Sequence, residues 1–78
     1  MVKLIKEDID LLEKVNDKEI NAYIDKMQDY NLEENLAVEF YELLGEKSEE
    51  YLNDKYNATE ESNIIEKVMD YIYDKTNK

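Results

Sequence analysis

The sequence predicts an all-α fold, a small compact bundle of four to five short helices. Three observations carry this. Apolar residues recur at helical spacing almost throughout the chain. There is no proline and one glycine, Gly45, so helix breakers are nearly absent. Strand signals are poor, with no clean alternation and no Asn-Gly or Asp-Gly hairpin turn. At 78 residues the chain is expected to form one helical domain over 1–78, near the lower size limit for a single core. With no cysteine and no histidine, it lacks the disulfides, thiolate zinc sites and imidazole ligands that usually staple small folds. Stability must come from helix packing, a bound partner or self-association.

The first helical segment runs from about Leu4 to Val15, with Leu4, Ile5, Ile9, Leu11, Leu12 and Val15 on one broad face. Asp8 falls inside that face and has two readings. It caps a helix that starts there, or it is a buried carboxylate with a raised pKa. The second helix is expected over Lys18 to Tyr30, where Ile20, Tyr23, Ile24, Met27 and Tyr30 keep helical spacing. A break near Asn16 and Asp17 is favoured over one long helix, because both residue types prefer caps and turns.

In the third helix Asn31 with Glu34 resembles a capping box. Leu32, Leu36, Phe40, Leu43 and Leu44 form its apolar stripe, and Gly45 is expected to end it as C′. A short fourth helix is expected after Ser48, carrying Tyr51, Leu52 and Tyr56. Thr59 then caps the last helix, about Glu60 to Lys75. There Ile64, Ile65, Val68, Met69, Ile72 and the rings of Tyr71 and Tyr73 cover more than half the circumference. So wide an arc suits a helix packed on several sides or joined to a partner.

Charge is the strongest functional signal. The net charge is −11, and the bases are lysines without arginine. Arginine is the usual reader of phosphate and guanine, and an anionic chain is repelled by nucleic acid and by anionic membranes. Direct nucleic-acid and membrane binding are therefore excluded as expectations. The charge is uneven. Residues 1–30 hold eight acids against five lysines, residues 31–62 ten against two, and residues 63–78 three of each. The middle segment is thus the part expected to have an electrostatic role. On the third helix, Val38 and Tyr41 fall on the outer side between Glu34, Glu39 and Glu42, an apolar centre with a charged rim as in many protein interfaces. The bland alternative is that the bundle buries both.

Catalytic constellations are missing. No histidine can serve as base, one glycine cannot make a phosphate loop, and Ser48 and Ser62 sit at expected helix starts, where capping is ordinary. A calcium loop from Asp54 lacks its glycine and most ligands. The chain is read as not an enzyme, with no cofactor and no metal. No apolar run reaches the length of a membrane span, and MVKLIKED has no signal-peptide pattern, so a cytoplasmic location is expected. The C-terminal VMDYIYDK resembles the end of small, acidic, four-helix acyl carrier proteins over about a third of the chain. That resemblance would imply a prosthetic group on the serine of an Asp-Ser-Leu motif. The nearest stretch here, Asp29-Tyr30-Asn31-Leu32, has no serine, so carrier activity is not inferred.

The expected function is a small acidic inhibitor, a DNA-mimic-like protein that blocks a basic nucleic-acid-binding site on a partner protein. The expected contact residues are Glu34, Val38, Glu39, Tyr41, Glu42, Glu46, Glu49 and Glu50. Partners of suitable chemistry are nucleases, restriction or CRISPR effectors and DNA-binding regulators. Small size and the lysine-, asparagine- and isoleucine-rich composition of AT-rich coding fit a phage or mobile-element anti-defence product, an anti-CRISPR protein among them. The alternatives are an immunity protein or antitoxin for one cognate toxin, or an adapter or homodimer joined through Ile65, Met69 and Tyr73. A solvated bundle whose charge only maintains solubility is the bland reading.

Overall fold

The computed structural model describes residues 2–52, 55 and 57–76. Six elements follow in order: β1 (Val2–Lys3), α1 (Lys6–Val15), α2 (Lys18–Lys26), β2 (Asn31–Leu32), α3 (Glu34–Glu50) and α4 (Glu60–Thr76). The fold is mostly helical, as expected, with four helices among the described residues and a two-stranded sheet that the sequence reading lacked.

The sheet is antiparallel, pairing Val2 with Leu32 and Lys3 with Asn31. Strands of two residues are too short to show alternation. A turn leads into β2, where Asp29 (φ 54) and Tyr30 (φ 62) are both left-handed and Asn31 N–H donates to the Gln28 carbonyl at 3.0 Å. Two positive φ values make this a type I′ hairpin turn, normally built on Asn-Gly. It ends α2 at Lys26, short of the expected Tyr30. Leu4 N–H donates to the Tyr30 carbonyl at 2.8 Å, fastening the N-terminal segment beside the turn.

The expected break between the first two helices is present. Asn16 adopts φ 62 and closes α1 with its N–H on the Glu13 carbonyl. Asp17 caps α2, its Oδ1 accepting from the N–H of Glu19 at 2.9 Å and of Ile20 at 3.0 Å. Asp8 does not cap α1, whose N-cap is Ile5. It lies in the first turn, where a carboxylate suits the helix dipole, and is buried with its Oδ1 3.3 Å from Nζ of Lys67 on α4.

α3 differs most from expectation. Asn31 and Leu32 belong to β2, and Glu33 is the N-cap without a side-chain bond. Gly45 does not end the helix, which runs to Glu50 and absorbs Ser48. Ser48 Oγ donates to the Gly45 carbonyl at 2.9 Å inside it. Tertiary contacts override the weak breaking tendency of one glycine: Leu43, Leu44 and Lys47 are buried on either side of it. No separate helix starts at Ser48; Tyr51 and Leu52 form the turn after α3, and Tyr56 lies outside the described residues. Thr59 does precede the last helix. Its Oγ1 accepts from Ser62 N–H at 3.1 Å while its own N–H donates to Ser62 Oγ at 2.8 Å, a reciprocal capping box with serine at the fourth position.

The core draws on every element: Val2, Ile9, Leu12, Ile20, Leu32, Phe40, Leu44, Ile65, Val68 and Ile72 are buried. Phe40 is its largest fully buried side chain, worth about 2–3 kcal/mol by area removed from water. α3 and α4 are the longest helices. Their side-by-side packing leaves one flank of each facing outward.

Candidate partner-binding surface

All eight expected contact residues lie on α3, because the helix continues through Gly45. At about 100° per residue and with Glu34 at zero, Glu34, Val38, Glu42, Glu49, Glu46, Glu39 and Glu50 fall within roughly 0–160°. Leu43, Lys47, Phe40, Leu44, Ala37 and Ser48 fall within roughly 180–320° and are the buried residues of α3. Tyr41 sits at the edge between the two arcs, toward α4. The six glutamates are exposed, Tyr41 is half-buried, and Val38 is 57% exposed, the most exposed large apolar side chain among the described residues. The bundle therefore does not bury Val38.

What the sequence did not show is where the lysine of α3 goes. Lys47 turns inward, with only 9% of its side chain exposed. Its Nζ lies 3.3 Å from Asp17 Oδ2, 3.1 Å from Glu19 Oε1 and 3.1 Å from Glu50 Oε2. The Tyr51 hydroxyl donates to the same Asp17 Oδ2 at 2.8 Å. Both carboxylate oxygens of Asp17 are thus occupied, one by the α2 cap and one by this cluster. Burial alone would raise the pKa of Asp17. The Ile20 N–H, the Tyr51 hydroxyl and Lys47 together outweigh it and hold the carboxyl below its ordinary 3.8. Hydrogen bonds to Glu50 and Glu19, then to Asp17, push Lys47 well above its ordinary value against the effect of burial. Burial and the bond to Asp17 raise the Tyr51 phenol above 10.0.

Elsewhere the acids are loosely held. Glu39 Oε1 accepts from the exposed Tyr23 hydroxyl at 3.4 Å; burial first, then the Glu39 charge and this bond, raise the Tyr23 pKa. A shallow depression beside it is lined by Tyr23, Glu39, Glu42, Leu43 and Glu46. Between α3 and α4 lies an apolar groove of ≈ 280 Å³, lined by Ala37, Val38, Tyr41, Glu42, Ile72, Tyr73 and Thr76. The rings of Tyr41 and Tyr73 stand 6.4 Å apart, tilted by 33°, and Tyr73 is 53% exposed.

No protein-family model, curated protein or solved structure matches this chain.

Function must therefore be read from the surface itself. Of the residues considered for an adapter role through the last helix, Ile65 is fully buried in the core and Met69 is half-buried, its Cε 3.6 Å from where a Gly45 Cβ would stand. Only Tyr73 faces outward, and it belongs to the groove with α3. The wide apolar arc of the last helix is thus spent largely inside the bundle. Among the described residues no group of three or more acidic side chains is placed to hold a metal ion, and no helix is long and apolar enough to cross a membrane.

Proposed function

We propose that this protein binds a basic site on another protein and occludes that site from nucleic acid, using the outer face of α3. The observation that carries the reading is the withdrawal of Lys47. With the only lysine of α3 turned inward onto Asp17, Glu19 and Glu50, the outward face bears Glu34, Glu39, Glu42, Glu46 and Glu49 with no lysine of α3 among them. Exposed Val38 and the edge of Tyr41 supply short-range contact at its centre. The five glutamates from Glu34 to Glu49 that Lys47 leaves unpaired span roughly 22 Å of helix, about one charge per 4–5 Å, of the order of the ~3.4 Å spacing of a single DNA strand and well below the duplex density of one per ~1.7 Å. The face is thus suited to replace one strand's phosphates in a cationic cleft. Such a field also speeds encounter with a basic partner. Nucleases, restriction or CRISPR effectors and DNA-binding regulators have clefts of this kind.

The test is capture by the immobilised protein from host lysate, with and without added duplex DNA. The expected result is a basic nucleic-acid-binding protein that DNA releases. A variant with Glu39, Glu42, Glu46 and Glu49 changed to Lys should keep its helicity and retain nothing. Glu50 is left alone because it pairs with Lys47. Equal retention by the variant at physiological salt would refute the proposal.

A further inference from the structure

The groove between α3 and α4 is apolar within an acidic surface, and that combination selects an occupant. We infer that it receives one large aliphatic or aromatic side chain from a cationic segment of the partner, while flanking acids pair with the lysines or arginines on either side of that anchor. This inference rests on the proposed function and adds the element that would distinguish one basic partner from another.

Size and lining support it. A volume of ≈ 280 Å³ lies at the lower edge of the roughly 300–1,000 Å³ typical of small-molecule sites. It is a fitting seat for a single anchor residue of the kind that dominates protein interfaces. Buried Ala37 and Ile72 form its floor. The Tyr41 and Tyr73 rings and Val38 form walls that shift little from one contact to another, because aromatic and β-branched side chains have few rotamers.

Charge selects the flanks. Glu42 lines the groove, and Glu34 stands in the adjoining cleft that shares Val38 and Thr76 with it. Asp70 lies one turn before Tyr73 on α4 and is exposed. Acids of α3 therefore border the groove itself, and Asp70 adds a further acid on the outer side of Tyr73. Lys75 is the cation in the adjoining cleft, and its Nζ lies over the Tyr71 ring at 5.5 Å. A second copy of this chain would bring the same acids face to face at a net charge of −11 per molecule, a like-charge juxtaposition that disfavours association. A cationic partner meets no such cost.

The experiment uses two synthetic helix-forming peptides of equal positive charge, rich in lysine and arginine, differing only in a central Phe or Ala. Each is titrated into the ¹⁵N-labelled protein at low salt and followed by amide chemical shifts. The Phe peptide should bind about tenfold more tightly and shift Val38, Tyr41, Tyr73 and Thr76. Tyr73→Ala, at an exposed position, should reduce the preference to about twofold or less while leaving the Ala peptide's affinity unchanged. Equal affinities for the two peptides would overturn the groove inference and leave the acidic-face proposal standing. Binding of neither would overturn both. A preference that survives Tyr73→Ala, or concentration-dependent shifts at the same residues without peptide, would place the anchor elsewhere or seat a second copy there, and either sinks the inference.

Discussion

Nζ of Lys47 on α3 lies 3.3 Å from Oδ2 of Asp17, the residue that caps α2. One carboxylate therefore starts a helix, holds the hydroxyl of Tyr51 after the end of α3, and draws the lysine of α3 out of solvent. The contact that ties α2 to α3 also holds the lysine of α3 away from the glutamates of its outer face. Fold and surface charge are coupled through this pair.

Removing the carboxylate should separate the two roles of Asp17. Asp17→Ala loses the cap, typically ~1 kcal/mol and up to ~2, and a buried hydrogen bond from Tyr51, about 1 kcal/mol. A total loss of about 2–3 kcal/mol would lower Tm by roughly 10 °C or more in a domain of this size. Asp17→Asn keeps an acceptor for the Glu19 and Ile20 N–H groups and should cost about half as much. Urea unfolding of the two variants checks the order; equal losses would show that the cap contributes little.

The same cluster sets a pH dependence at both ends. Asp17 titrates lower in the folded protein than its ordinary 3.8, so just below that value the unfolded chain binds the extra proton. Its contribution is complete above about pH 4 and is lost as pH falls through the folded pKa. The stability difference between the native protein and Asp17→Asn should accordingly shrink on acidification below about pH 4. Tyr51 is raised above 10.0 and Lys47 above 10.5. Their contributions are complete below those values and decline as pH rises through the raised ones. Tyr51→Phe should flatten the alkaline limb of the curve. An unchanged limb would mean that neither burial nor Asp17 raises the Tyr51 phenol in the folded protein.

Gly45 offers a stabilising substitution. It is helical, without positive φ, and an added Cβ would meet Met69 Cε at 3.6 Å, an ordinary contact distance. Gly45→Ala should fit and raise stability by about 0.5–1 kcal/mol, the usual helix-interior difference between these residues. A thermal melt settles it. Destabilisation would show that α4 needs the closer approach that glycine allows.

Tyr30 should invert the usual ranking of alanine over glycine. Its φ of 62 places it in the left-handed region, where a Cβ costs roughly 1–2 kcal/mol. Tyr30→Ala loses the half-buried ring and keeps the strain, whereas Tyr30→Gly loses the ring and relieves it. The Gly variant should be the more stable by about 1 kcal/mol in urea unfolding. The reverse order would show that the turn relaxes to another conformation.

Local chemistry was legible in the sequence, and chemistry between distant residues was not. The break at Asn16 and Asp17 and the cap at Thr59 could be read because the side chains act on their own backbone. Periodicity likewise placed Val38, Glu34, Glu39 and Glu42 outward, whereas Glu46, Glu49 and Glu50 were expected beyond a helix end at Gly45. The sheet was not legible, because Val2 finds Leu32 across thirty residues and Asp29-Tyr30 is no standard hairpin pair. Gly45 misled because its neighbours Leu44 and Lys47 are held by α2 and α4, which no local rule registers. The inward turn of Lys47 depends on Asp17 and Glu19 of another helix, and the contribution of Tyr73 depends on the side-by-side packing of α3 and α4. So the outward acids of the first half of α3 were visible, but the continuation of the helix that adds Glu46 and Glu49 to their face, and the inward turn of Lys47, were not.

The acidic face should carry a stability cost that a binding role would explain. Glu42, Glu46 and Glu49 are exposed and spaced by three or four residues on α3, where like charges destabilise a helix by a few tenths of a kcal/mol per pair. Changing Glu42 and Glu46 to Gln removes that repulsion without altering side-chain length. The variant should be more stable than the native protein by roughly 0.5 kcal/mol in low salt, and the gain should largely vanish at about 0.5 M salt, where the screening length falls to a few ångströms. The same variant should bind its partner more weakly. Gain in stability with loss of binding would mark the face as retained for recognition at the expense of the fold. Gain in stability with undiminished binding would leave these two acids as solvated surface, and the contact would have to lie elsewhere on the molecule.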